Sequence, residues 1–177
     1  MASLGRSVPR RGASRGNGLP PPGRDLRVVA DLILSGVKTR VFYVSLSGFD
    51  THVRQSNQQA RLLGQYGEAV AALAMDLQAH GEWDSPLILT FSEFGRRVAE
   101  NASGGTDHGK TNALWLLGGR LRRPGAYNSL PELQQLDGGD LPWAVDLRQV
   151  YASVLRDWLA VDPGPILGPD FAPLPLL

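Results

Sequence analysis

Residues 86–117 read PLILTFSEFGRRVAENASGGTDHGKTNALWLL. Two apolar runs, Pro86–Phe91 and Ala113–Leu117, lie on either side of a polar stretch. Each run has the length and apolar content of a buried strand, and Gly118-Gly119 ends the second. The polar stretch between them holds Glu93, Arg96, Arg97, an Asp107-His108 pair, Gly104, Gly105, Gly109 and Lys110. It is longer than a simple connection requires, and loops of that kind often carry function.

Working outward, Arg40–Ser47 (RVFYVSLS) is β-branched and aromatic, so it predicts a further strand buried on both faces. Gly48 ends it, and Asp50-Thr51-His52 follows at once. Three segments have helical periodicity. Asp25–Val37 repeats Leu26, Val29, Ile33 and Val37; Ser56–Gly81 carries a stripe of Leu63, Tyr66, Val70, Leu73 and Leu77, with Gly81 as its stop. A last helix begins after Asp146 and runs through Val150, Val154 and Trp158. Strands alternating with helices imply an α/β fold with a largely parallel sheet flanked by helices. In such folds ligand sites collect beyond the carboxyl ends of strands, where both acid-histidine clusters fall.

The 177 residues suit one domain with a real core, and 42% hydrophobic with 20% charged residues is an ordinary globular composition. The absence of cysteine excludes disulfides, a thiolate metal site and a cysteine nucleophile. No apolar run reaches the roughly 18 residues of a membrane span. Residues 1–24 hold five arginines, no acid and many Gly, Pro and Ser, which predicts a disordered tail ahead of a domain over 25–177. Arg10-Arg11 lacks the apolar stretch of an export signal, so no compartment is assigned. Of the 18 basic residues 13 lie in the remainder, against all 17 acids, which argues against a nucleic-acid surface there.

Carboxylates and neutral imidazoles are ligands of divalent metals. Asp50 and His52, two apart, point the same way in an extended chain. The glycines at 104, 105 and 109 let Asp107 and His108 turn toward one centre, and Glu93 adds a third carboxylate. These five residues are the candidate ligands of zinc, manganese or calcium. Arg96 and Arg97 are candidates to hold an anionic substrate. The plainer alternative makes Asp50 and Asp107 turn-forming loop residues with histidine partners. A third reading is a phosphate loop, since Gly104–Thr111 spells G-x-x-x-x-G-K-T. That motif needs a strand before its first glycine and a helix at its lysine, and polar residues and an apolar run stand there instead. Ser45 and Ser47 lie inside a strand pattern without a nucleophile elbow, so no nucleophile is identified.

The strings TRVFYVSLSGFDTH (39–52), LTFSEFGRRVAENASGGTDHG (89–109) and DLRQVYASVLRDWL (146–159) resemble the domain-of-unknown-function 1501 (DUF1501) family. That family is similar to the alkaline phosphatase/sulfatase superfamily. The resemblance implies a partial alkaline-phosphatase-like α/β sandwich, and a site with two metal ions acting on a small phosphate or sulfate ester. Asp50 and His52 resemble the first ligand set. Asp107-His108-Gly109 spells the superfamily's Asp-His-Gly, whereas Ser92-Glu93-Phe94-Gly95 occupies the corresponding position after the strand. Phe94 then stands where a histidine ligand would be. Family members carry a further N-terminal half that supplies the nucleophile, so the resemblance covers a C-terminal portion. It implies a catalytically incomplete hydrolase with an exposed sheet edge for another chain. The alternative is a non-catalytic structural or interaction module.

Overall fold

The computed structural model describes residues 22–177, so the expected disordered tail lies, but for its last three residues, outside the described residues. The first helix, α1 (Gly23–Leu34), begins just after Pro22, with Asp25 in its first turn. Gly36 takes φ +74° and closes it: Gly36 N–H donates to Ile33 and Val37 N–H to Leu32. The second helix, α2 (Gln55–Ala79), ends the same way, with Gly81 at φ +71° and bonds from Gly81 to Gln78 and Glu82 to Leu77. Both are Schellman endings, in which glycine takes the left-handed position at no steric cost. The buried face of α2 is Leu62, Ala69, Val70, Leu73 and Leu77. Leu63, expected on the stripe, is exposed; Leu62 keeps the seven-residue spacing to Ala69 and takes its place.

Among the described residues the expected parallel sheet does not form: four short strands make two separate antiparallel pairs. Strand β1 (Ile88–Thr90) pairs with β4 (Trp115–Leu117), Ile88 opposite Leu117 and Thr90 opposite Trp115. Strand β2 (Gly95–Arg96) pairs with β3 (His108–Gly109), Arg96 opposite His108. The reason is the connection: parallel neighbours need a crossover, usually a helix, and residues 91–114 contain none. The chain instead leaves β1, doubles back through β2 and β3, and returns alongside β1 as β4. Nor does Arg40–Ser47 join a ladder among the described residues. Its burial alternates, with Phe42, Val44 and Leu46 half-buried and Val41 and Tyr43 exposed, so one face is covered where two were expected.

The last helix, α3 (Leu147–Ser153), starts at the expected cap. Asp146 accepts from Arg148 N–H at 2.8 Å, and the Gln149 side chain reaches back to the Asp146 N–H, completing a capping box. A π-helical turn, Val154–Trp158, follows, then a short α4 (Gly164–Leu167). The buried Ser153 hydroxyl donates to Gln149 O and accepts from Leu174 N–H, tying down the terminal segment.

The chain divides into two compact units. One comprises the described residues up to Phe49 with Ala60–Glu82; the other comprises Asp50–Gln59 with Trp83–Leu177. Every residue of the candidate site belongs to the second. No helix among the described residues is long and apolar enough to cross a membrane.

Candidate metal centre

Asp50, Thr51 and His52 run in alternation. Thr51 is buried and accepts a hydrogen bond from Gln59 Nε2 at 3.1 Å, while Asp50 and His52 face solvent. A period of two puts the carboxylate and the imidazole on one side. Arg54 then takes a left-handed φ of 47°, and α2 begins at the next residue.

The loop between β2 and β3 is stitched onto this segment. Arg54 N–H donates to Ser103 O at 3.1 Å and Gln55 N–H to Gly104 O at 2.8 Å. The second bond satisfies one of the amides that the start of a helix leaves open. Thr106 Oγ1 donates to Gln55 Oε1, and Asn101 Nδ2 to His52 O at 3.0 Å. Asn101 Oδ1 also accepts from Ser103 and Gly105 N–H, which rounds the loop as an Asx-type turn. Gly105 permits the contact: a Cβ there would stand 2.4 Å from the His52 carbonyl carbon.

The stitching delivers His108 to Asp50 and His52. His108 Nε2 is 2.7 Å and His52 Nε2 is 2.9 Å from the same Asp50 Oδ1, and the two Nε2 atoms are 3.2 Å apart. Protons serve this triangle poorly. One on each Nε2 satisfies the carboxylate but leaves two N–H groups facing each other. A cation at the centre satisfies all three lone pairs at once. Tetrahedral ligands with bonds of about 2.05 Å sit roughly 3.3 Å apart, so the edges of the triangle need to open by between about 0.1 and 0.6 Å. The donor set therefore fits a divalent metal. The hydrogen bond from His108 holds the Asp50 carboxyl below the usual aspartate value, and the charges of His108, His52 and Arg96 add to it.

The other expected site residues are placed around the triangle. Asp107 stands behind His52, its Oδ1 3.7 Å from Nδ1 and 3.4 Å from Asn101 Nδ2. At that distance Asp107 is an ionic neighbour of the His52 ring and not its hydrogen-bond partner. Arg96 is mostly buried; its Nη1 donates to Thr106 O at 2.7 Å and its Nη2 lies 3.5 Å from Asp50 Oδ1. Arg97 is exposed, and its side chain lies over Gly139. Glu93 is exposed and outside the cluster of three. Lys110 is bonded to Asp137, and the element after it is strand β4, so the helix that a phosphate loop requires at that lysine is not formed. One residue escaped the sequence reading: Asn101 ties the two loops together, and the Asn-x-Ser-Gly-Gly pattern of an Asx turn was its signal. Phe94, singled out because it stands where the superfamily has a histidine, lies flat on His108, ring centroids 4.0 Å apart at 6°, a contact the sequence did not signal.

A family described as a protein of unknown function (DUF1501) matches residues 21–156, most of the chain. The chain belongs to the DUF1501 family. The match to this DUF1501 chain spans the Asp50/His52 segment, both short sheets and the start of α3. No curated protein and no solved structure matches it significantly.

Proposed function

We propose that Asp50, His52 and His108 form a divalent-metal centre, and that this DUF1501 chain carries the metal site of a phosphate- or sulfate-ester hydrolase. The observation that carries the reading is the triangle of one carboxylate oxygen and two imidazole nitrogens within 3.2 Å. Three protein ligands leave coordination positions open, which is the pattern of catalytic rather than structural sites. Two nitrogens and one oxygen favour zinc or manganese over calcium, which prefers six to eight oxygens. Asp50, His52 and His108 would hold the ion, which would supply polarisation of an ester oxygen and activation of water near neutral pH.

The chain's own residues divide the remaining work. Asp107, held beside Asn101, sets a negative charge on the Nδ1 side of the His52 ring. Arg96 offers a guanidinium at the rim of the triangle, suited to an anionic oxygen. The phosphate/sulfate specificity rests on that arginine and on the resemblance of residues 39–52 and 89–109 to the alkaline phosphatase/sulfatase superfamily. The test is binding of inorganic phosphate and sulfate to zinc- or manganese-loaded protein. Saturable binding that disappears with chelator and in His108→Ala is the expected result, and with no nucleophile identified the reading does not require turnover of an ester by this chain. Metal binding without affinity for either anion leaves a metal site and overturns the hydrolase-derived assignment.

A further inference from the structure

The ring of Phe94 is built into place beside the triangle. Its carbonyl accepts two hydrogen bonds, from Ser92 Oγ at 3.0 Å and Asn112 Nδ2 at 2.8 Å. The next residue, Gly95, is so close to Thr111 that a Cβ would stand 1.8 Å from its carbonyl oxygen. With the backbone clamped on both sides, the phenyl ring stacks on His108 with planes 6° apart, and the Arg96 guanidinium lies 5.0 Å over the phenyl ring. The imidazole of His108, on the two-residue strand β3, is otherwise free to turn about χ1 and χ2, and a flat neighbour removes much of that freedom.

We infer that Phe94 is a positioning residue that holds the His108 imidazole with Nε2 toward Asp50 and His52, and that it closes that side of the site, so the centre takes a single ion. This rests on the reading of the triangle as a metal centre. Paired-ion sites hold their metals about 3.5–4 Å apart and need a second set of ligands at that distance. Asp50, His52 and His108 are the only group of three or more ligating residues converging on one point among the described residues. Next to them stand the apolar face of Phe94 and the positive charge of Arg96, neither of which is a ligand. Of the further carboxylates on this segment, Glu93 and Glu100 are turned to solvent, and Asp107 lies on the Nδ1 side of the His52 ring, away from the Nε2 atoms that face the centre.

Zinc titration calorimetry and the visible absorption of the cobalt(II)-loaded protein test this on the full chain with three variants. Wild type takes one ion per chain. Phe94→Tyr keeps the flat face and binds within about threefold of wild type. Phe94→Leu keeps apolar bulk without the flat face, and Phe94→Ala removes both. Each weakens zinc about tenfold or more and alters the cobalt spectrum, as loss of an outer partner of a ligating histidine does. Unchanged far-ultraviolet circular dichroism in the metal-free variants separates this from unfolding. Phe94→Leu binding as tightly as wild type, Phe94→Tyr failing like Phe94→Leu, or two ions per wild-type chain would each overturn the role of Phe94. Wild type binding no ion would overturn the metal reading itself.

Discussion

The imidazoles of His52 and His108, 56 residues apart in sequence, meet with their Nε2 atoms 3.2 Å apart over a single carboxylate oxygen of Asp50. Two short loops are bonded together to make that meeting.

A bound ion stabilises the fold it binds. At zinc concentrations about 100 times the dissociation constant the gain is about 2.7 kcal/mol, or about 5–10 °C in Tm for a chain of this size. Differential scanning calorimetry with and without zinc reads it. Asp50→Ala and His52→Ala abolish the increment, and chelator reverses it in wild type.

Gly105 is the point of closest approach between the two loops. Gly105→Ala forces a methyl group into the His52 backbone, so overpacking costs about 1–3 kcal/mol and separates His52 from His108. The expected result is a lower Tm together with loss of zinc-induced stabilisation. Gly104→Ala, where the nearest atom to a new Cβ is a side-chain oxygen at 3.8 Å, has only the strain of φ +68° and retains more metal affinity than Gly105→Ala.

The Asp146 cap gives a pH dependence of known sign. Hydrogen bonds from the Arg148 side chain and backbone hold its carboxyl below the ordinary value of 3.8. A lowered value means the stabilisation is fully present above the ordinary value and is lost as pH falls through the lower, folded one. Asp146→Ala lowers stability by about 1 kcal/mol at neutral pH. Asp146→Asn keeps the cap but not the charge, so its deficit against wild type narrows below about pH 4. Thermal melts at pH 7 and pH 3 measure both.

Lys110 is engaged by Asp137, and no helix begins at it. Titration with magnesium-ATP therefore shows no saturable binding, and Lys110→Ala leaves zinc affinity unchanged. Nucleotide binding lost in Lys110→Ala would restore the phosphate-loop reading.

Local chemistry was readable from sequence. Gly81 ends α2 and Asp146 caps α3 because each needs only its immediate neighbours, and the two-residue spacing of Asp50 and His52 set their common side. Strand direction was not readable. Whether β1 and β4 run parallel depends on the route of residues 91–114, and the composition of two apolar runs does not record that route. The helical stripe was misplaced by one residue at Leu62/Leu63 because both are leucine and only packing distinguishes them. Phe94 and Asn101 act through partners distant in sequence, so their roles appear only once His52 and His108 have met.

The most direct test of the central claim is zinc binding to the full chain by isothermal titration calorimetry, with His52→Ala and His108→Ala alongside. The account predicts saturable binding at micromolar or tighter affinity with one ion per wild-type chain, weakened at least 100-fold in each variant. No binding at micromolar zinc, or binding unchanged in both histidine variants, would contradict it.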